Sequence, residues 1–490
     1  MDEKRVVVLQ AEKKSYPNTP PFHPPEKYLE YPFDEIDKTN TVYKTVRDLL
    51  YHLGLDAEQY GTAQWNPFKE LIHPGNTVVI KPNLVLDAHV KGADLYSIIT
   101  HPSVIRAVVD YCSIALNGTG RLIIADTPLG HCDFNHLLES TKLPSISEFY
   151  KKKRGVEISI YDLRKMMYPL NEYQFTECDS KIVLNGDPEG YTIIDLGQLS
   201  QLSSIQEPRK FQGTDYNRKE TIQHHQGNRH EYLIPNTILH ADVIISVPKL
   251  KVHKKAGVTL NLKNMVGISG DKNYLPHFQL GSPKKGGDEI PDDLSLKLQL
   301  QLRLLRFGSD YFLSHHNVLL DKLVKATAKL LQAINKNFIS DVDNKISPGN
   351  WHFNDTIWRV IIDLNRILFY ADTTGHLQNV RKRHYFSIID GIIGGEQEGP
   401  IYPTPKPCGV LIGGFDPFLV DITGTTLMGF EYHKIPQFSN LPSLDRYKIS
   451  EYTEHDIDLI TNAKEFEGLF KEKNNRYFNF KPSRGWKEYL

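Results

Sequence analysis

The feature that most constrains the fold is an alternation of two apolar strands and one helix in the first quarter of the chain. Residues 76–83 (NTVVIKPN) have a buried-strand pattern that stops at a proline, which cannot donate to a sheet ladder. The HPS sequence at 101–103 opens a helix, and residues 117–120 (NGTG) close it before a second strand at 121–126. A strand, a helix and a strand in succession predict a parallel sheet with a right-handed crossover. We therefore predict an α/β fold.

The rest of the chain extends this core. With 490 residues the chain is too long for one simple core. The apolar run at 241–247 is typical of a central parallel strand, and further strands are predicted at 385–389 and 409–412. We expect two lobes of parallel-sheet core with a helical insertion, divided as an α/β core over residues 1–290, a helical insertion or cap over 291–380, and a return to the core with a C-terminal wrap over 381–490.

The composition excludes several classes of protein. Lys plus Arg (58) nearly cancels Asp plus Glu (59), whereas a dedicated nucleic-acid binder usually has a basic excess. The N-terminus lacks a signal-peptide pattern, and no apolar stretch of about 18 residues predicts a membrane span. The four cysteines are scattered, without the CxxC spacing of zinc or iron–sulfur sites. We expect a soluble, cytoplasmic protein with reduced thiols.

Three polar side chains mark a first candidate site. Lys81, Asn83 and Asp126 all lie at the predicted carboxyl ends of strands. In open parallel sheets, ligands bind outside these ends. The sequence therefore predicts a ligand site at this edge of the sheet.

The densest chemical signal follows the strand at 241–247. The segment 247–259 (VPKLKVHKKAGVT) holds four lysines and one histidine, and Lys263 and Asn264 come soon after it. Lysines at a strand end suit carboxylate or phosphate groups, and burial can lower their pKa toward catalytic use. The alternative is a solvated basic loop.

Two glycine-containing segments add further candidates. Residues 270–289 contain Lys272 among glycines and further lysines, which suit the binding of an anion. The segment is not a Walker A loop, and the alternative interpretation is a flexible surface loop. In the segment 390–400, Asp390, Glu396 and Glu398 follow a predicted strand and suit substrate hydroxyls, acid–base work or a divalent cation. Asp416, which precedes a proline, is better explained as a helix cap.

Taken together, several of these motifs resemble the domain of unknown function 362 family. The matching pieces are VIKPN (79–83), THP (100–102), DTP (126–128), ADVI (241–244) through PK (248–249) and KN (263–264), DG (390–391), EGP (398–400), DP (416–417) and Asp421. The resemblance implies a Rossmann-like fold distantly similar to lactate racemase. Many members carry a ferredoxin-like domain, but this chain lacks the cysteines for one, so an iron–sulfur cluster is not expected. The extended form with an insertion is similar to members associated with surface-polysaccharide gene neighbourhoods.

These observations lead to an enzyme hypothesis. We expect action on a small anionic metabolite, phosphorylated or carboxylated, such as a sugar precursor for surface polysaccharide; racemase- or isomerase-type chemistry follows by fold analogy alone. The expected substrate-binding residues are Lys81, Asn83, Lys249, Lys251, Thr259, Lys263, Asn264, Lys272 and Asp390. The expected acid–base and orienting residues are His253, His101, Asp126 and Glu398, and the candidate ligands for a divalent cation are Glu396 and Glu398.

A non-catalytic alternative remains open. The leucine-rich residues 294–334 are predicted to be helical and could contact a membrane peripherally, as in a metabolite-binding or scaffold protein. A homo-oligomer is compatible with either hypothesis. Nucleic acid is not an expected partner.

Overall fold

A computed structural model of the chain confirms the α/β prediction. It describes residues 2–170, 181–213, 217–295, 299–300, 302–304, 306–307, 348–470 and 477–490. Half of the predicted insertion 291–380, including most of the segment 294–334 considered for membrane contact, lies outside the described residues. Within the described part of the chain, no helix is long and apolar enough to cross a membrane.

The strands include every predicted core strand. They are Arg5–Gln10 (β1), Thr77–Pro82 (β2), Arg121–Asp126 (β3), Ile158–Asp162 (β4), Met166–Met167 (β5), Ile182–Val183 (β6), Tyr191–Asp195 (β7), Phe211–Gln212 (β8), His225–Gln226 (β9), Arg229–Pro235 (β10), Val243–Val247 (β11), Lys249–His253 (β12), Gly257–Val258 (β13), Phe278–Gln279 (β14), His384–Glu396 (β15), Thr404–Gly414 (β16) and Asp458–Thr461 (β17).

The helices of at least one full turn alternate with these strands. They are Thr41–His52 (α1), Pro102–Leu116 (α2), Phe134–Thr141 (α3), Pro144–Arg154 (α4), Arg218–His224 (α5), Asn236–Leu239 (α6), Leu260–Asn264 (α7), Ile357–Tyr370 (α8), Pro417–Met428 (α9) and Pro436–Ser439 (α10). As predicted, Asp416 caps α9: its Oδ1 accepts hydrogen bonds from the amides of Phe418 and Leu419 at 2.9 and 3.0 Å.

One mixed sheet forms the centre of the fold. Its strand order is β17-β1-β16-β15-β11-β2-β3-β4. Strands β15, β11, β2, β3 and β4 run parallel, whereas β16 is antiparallel to both of its neighbours, β1 and β15. The parallel half is the part predicted from the strand–helix–strand pattern. Three smaller sheets lie outside it, with orders β7-β10-β9, β14-β8 and β5-β6.

Helices cover both faces of the central sheet. Along β2, Val78 and Ile80 join one hydrophobic cluster with α1, α2 and α4, while Val79 joins the other with α8 and α9. This alternation follows from the two-residue repeat of side chains along a strand. A strand that is buried on both sides must be apolar on both sides, which explains the continuous apolar runs in the sequence.

A kink after β11 carries the lysine-rich segment past the edge of the parallel sheet. Pro248 separates β11 from β12, and both strands pair with the long strand β15. The first half of β15 pairs with β11 and its second half with β12, with a register irregularity between the pairs Lys249–Asp390 and Lys251–Gly395. Strand β12 therefore extends from the carboxyl end of the sheet, beside the ends of β2 and β3.

Candidate functional site

A cluster of buried lysines lies at the carboxyl ends of the parallel strands. We call it the lysine cluster, and it consists of Lys81 at the end of β2, Lys251 on β12, Lys263 on α7 and Lys272 in the 3-10 turn Lys272–Tyr274. Each of the four is at most 9% exposed. All four are among the substrate-binding residues expected from the sequence, and the structure brings them together.

Asp126 is the carboxylate that pairs with this cluster. Its Oδ1 lies 2.7 Å from Lys81 Nζ and accepts from the Thr127 amide at 2.7 Å. Its Oδ2 accepts from the Leu84 amide at 2.6 Å. Three donors thus fix the carboxylate at the end of β3, so Asp126 orients Lys81.

Gly267 covers this ion pair. A methyl group added at its Cα would lie 2.5 Å from Asp126 Oδ1 and 2.6 Å from Lys81 Nζ. Contacts that short do not occur between real Cβ atoms and their neighbours, so any larger residue at Gly267 would have to displace the pair. This position was not predicted as a site residue, because close approach of a backbone is a tertiary property.

Two asparagines connect the ion pair to α7. Asn264 Oδ1 accepts from Lys81 Nζ at 3.2 Å and from Asn83 Nδ2 at 3.3 Å. Asn264 Nδ2 donates to the Lys81 carbonyl at 3.2 Å and to Ser246 Oγ at 3.3 Å. Within the described residues, Asn83 Oδ1 and Thr259 Oγ1 are buried without a hydrogen-bond partner. The backbone amide of Thr259 donates to the Lys251 carbonyl at 2.9 Å.

The short helix α7 is anchored from α9. Asp421 accepts from the amides of Asn261 and Leu262 at 2.7 and 2.9 Å, and from Asn261 Nδ2 at 2.9 Å. The preceding residue, Leu260, has a φ of 44°, a left-handed conformation that is unfavourable for a leucine. The Asp421 contacts hold the chain in this turn, which places Lys263 and Asn264 at the cluster.

Crowding and burial lower the pKa values of the cluster. Burial, followed by the charge of Lys81, lowers the pKa of Lys263 to about 7. Burial, followed by the charges of Lys81 and Lys263 and opposed by Asp126, lowers the pKa of Lys272 to about 7. For Lys251, burial lowers the pKa well below its usual value, and the charges of Lys263 and Lys249 lower it further. The site is short of negative charge.

Two histidines border the lysine cluster, and their Nε2 atoms have opposite hydrogen-bonding roles. His253 Nδ1 accepts from the amides of Lys255 and Ala256 at 3.1 and 3.2 Å, so a neutral ring carries its proton on Nε2. His277 Nδ1 lies 2.8 Å from the Leu275 carbonyl, which can only accept, so its Nε2 has the free lone pair. Burial and then the charge of Lys263 lower the pKa of both rings, that of His277 to about 3.

His277 was not among the predicted site residues. It directly follows the proline of the segment NYLP (273–276), and nothing in the local sequence distinguishes it from other histidines. The available signal was its proximity in sequence to Lys272.

A second group of predicted residues forms a separate network. We call it the Lys249 network, and it consists of Tyr16, His101, Lys249 and Asp390. Lys249 Nζ lies 3.0 Å from Asp390 Oδ2, and both side chains have no exposed surface. Tyr16 OH donates to Asp390 Oδ1 at 2.6 Å and accepts from Lys249 Nζ at 2.5 Å. The charge of Lys249 is therefore already paired inside the protein.

His101 joins this network through its backbone and ring. Its amide donates to Asp390 Oδ2 at 3.0 Å, and its ring stacks on Tyr16 with centroids 4.0 Å apart. Its Nδ1 accepts from the Ser103 amide at 3.0 Å and so caps α2. Burial, then the charge of Lys249, lowers its pKa well below the usual value. These contacts fix the loop around Tyr16 to β12 and β15.

The two predicted cation ligands contact the C-terminal segment instead of each other. Glu396 Oε2 accepts from Lys406 Nζ at 2.9 Å and from the Lys481 amide at 3.0 Å. Glu398 Oε1 accepts from the Arg484 amide at 3.1 Å. Across the described ranges, no group of three or more His, Cys, Asp or Glu side chains is arranged to hold a metal ion.

Comparison with known proteins supports the family resemblance. The family model described as "Domain of unknown function (DUF362)" matches residues 78–179 and 191–426, which include all the lysine-cluster residues. Neither the curated proteins nor the solved structures give a significant match. Since the matched segments cover more than half of the 490 residues, the chain belongs to the domain of unknown function 362 family.

Proposed function

We propose that the protein is an enzyme that acts on a small anionic metabolite, phosphorylated or carboxylated, bound by the lysine cluster. The observation that carries the proposal is that, among the described residues, only one of the four buried lysines, Lys81, has an ion pair with a carboxylate, that of Asp126. Burying unpaired charge costs free energy, and mutual repulsion adds to that cost. A bound phosphate or carboxylate would supply the missing negative charge and accept hydrogen bonds from several ammonium groups.

The neighbouring histidines favour catalysis over binding alone. His277 offers an Nε2 lone pair that can accept a proton, and His253 an Nε2–H that can donate a hydrogen bond to an oxygen on which negative charge develops. A bound anion would raise the pKa of both rings, because it offsets the charge of Lys263 beside them. Proton transfer at a carbon next to the anionic group, as in an isomerase or racemase, is the reaction class that we favour. A phosphorylated sugar precursor is one substrate of this kind.

The test is ligand binding to the full chain. A thermal-shift screen against inorganic phosphate, sugar phosphates and hydroxy acids should raise the melting temperature, since ligands that bind only the folded state stabilise it. Lys272→Met should weaken binding of the best ligand by about 1.5–3 kcal/mol, the contribution of a charged hydrogen bond, or roughly ten- to a hundredfold.

The matched control is Lys284→Met, because Lys284 is an exposed lysine on the loop that follows Lys272. It should bind the ligand as the wild type does. If no anion stabilises the protein, or if both variants bind equally well, the lysine cluster is not the binding site. Binding without conversion of any tested metabolite would instead favour the non-catalytic alternative.

A further inference from the structure

Lys263 differs from the other three lysines of the cluster in its contacts. Lys81 Nζ contacts Asp126, Asn264 Oδ1 and the Pro82 carbonyl. Two of the other lysines donate to uncharged oxygens. Lys251 Nζ donates to the carbonyls of Ile98 and Pro400. Lys272 Nζ donates to Thr127 Oγ1 and to the carbonyls of Val266 and Ser269. Lys263 Nζ has no hydrogen bond or ion pair to any described residue, and the residue keeps 9% of its surface exposed.

We propose that Lys263 is a nucleophilic amine that forms an imine with an aldehyde or ketone group of the bound anion. The inference rests on the proposed function, because the neighbouring lysines must hold the anionic group. It goes further by assigning the substrate to anionic carbonyl compounds, such as oxo acids or phosphorylated sugars and aldehydes. A lysine that only neutralised an anion would gain from a fixed hydrogen-bonding geometry, as the other three have.

The surroundings of Lys263 favour the reactive, uncharged amine. Only a neutral amine has the lone pair that attacks a carbonyl carbon. Burial and the nearby charge of Lys81 lower the pKa of Lys263 to about 7, so about half of the molecules carry the neutral form at neutral pH. The anchoring of α7 by Asp421 keeps this amine in place rather than on a flexible loop.

The condensation balances without an oxidant or a reductant. The Lys263 nitrogen forms a bond to the carbonyl carbon, and the carbonyl oxygen takes up a proton. The nitrogen then loses its two protons. The hydroxyl group takes up one further proton and leaves as water, so that a C=N bond remains. His277 Nε2 is the acceptor available for the protons from nitrogen and can pass them on to the oxygen, while His253 Nε2–H donates a hydrogen bond to that oxygen as it departs.

The experiment traps the imine in the full-length protein. Pyruvate, or pyridoxal phosphate in a parallel sample, is added at neutral pH and sodium borohydride reduces any C=N bond to a stable secondary amine. Peptide mass spectrometry should find the reduced adduct on Lys263 at a rate roughly ten- to a hundredfold above that on the exposed Lys284, because an ordinary lysine amine is almost fully protonated at this pH.

Lys263→Arg keeps the positive charge but cannot form an imine, so its adduct should disappear while phosphate still raises its melting temperature. Lys284→Arg should be labelled at Lys263 as the wild type is. Inorganic phosphate should compete with both probes. A folded wild type that binds phosphate but carries no adduct on Lys263 with either probe would overturn this inference and leave the proposed function intact. Adducts that form on Lys263 equally fast with and without phosphate would support a nucleophilic amine at Lys263 but contradict the proposed anion site.

Discussion

Removing the charge of Lys249 should destabilise the protein, and the size of the effect follows from its burial. Lys249 and Asp390 form an ion pair with no exposed surface on either side chain. In Lys249→Met, the Asp390 carboxylate would keep three donors, the Tyr16 hydroxyl and the amides of His101 and Ile392, but no cation. Breaking a buried ion pair from one side typically costs about 3–5 kcal/mol. We expect a loss of that size in the free energy of unfolding.

Urea unfolding at pH 7, followed by circular dichroism, measures this loss. The double variant Lys249→Met/Asp390→Leu removes both charges and should recover most of the stability, since apolar replacements of a buried pair are often neutral. A single variant within about 1 kcal/mol of the wild type, the value of an exposed ion pair, would refute the reasoning. So would a double variant no more stable than the single one.

Two further predictions concern the lysine cluster. Because Lys263 and Lys272 have a pKa of about 7 when folded and the usual, higher value when unfolded, the unfolded chain binds more protons above pH 7. The free energy of unfolding of the wild type relative to Lys272→Met should therefore rise between pH 7 and 9, as measured by urea unfolding. Parallel plots of this free energy against pH for the two proteins would contradict the prediction. The affinity for anions should fall over the same pH range. Gly267→Ala places a methyl group 2.5 Å from a carboxylate oxygen and should cost about 1–3 kcal/mol of stability and weaken anion binding. Gly424→Ala is the control, because its methyl group would meet only side-chain methyl groups, the nearest at 3.2 Å and two more at 3.5 Å. Equal melting temperatures for the two variants would disprove the steric argument.

The parallel half of the fold could be predicted because its signals are local. The helix α2 begins at a proline behind a capping histidine and ends at Asn117 in a left-handed conformation, as the sequence indicated. Strand β3 has the predicted bounds, 121–126. Strand β15, in contrast, continues seven residues beyond the predicted 385–389, to Glu396. Its second half contains several glycines, and it is ordered by pairing with β12 and β16, which no local pattern encodes.

The candidate site could be located but not resolved into its parts. Residues at strand ends share one edge of a sheet, so the sequence correctly grouped Lys81 with Asp126. It could not separate Lys249 from Lys251, which are two residues apart on one strand. The partner of Lys249 is 141 residues away, and Tyr16 reaches it from a loop 233 residues earlier. Which lysine is paired depends on these distant contacts, so only the structure distinguishes an anchoring lysine from one available to a ligand.

The position of β1 in the sheet has a consequence for how the protein is made. Strand β1 lies between β16 and β17, and its residues Val6 to Leu9 are almost fully buried there. Both neighbours are encoded roughly 400 residues later in the chain. At a synthesis rate of about 5–20 residues per second, the nascent strand waits on the order of 20–80 seconds before either neighbour exists. During synthesis this apolar strand must be shielded by other means, and the central sheet can close only after the last of its strands has left the ribosome.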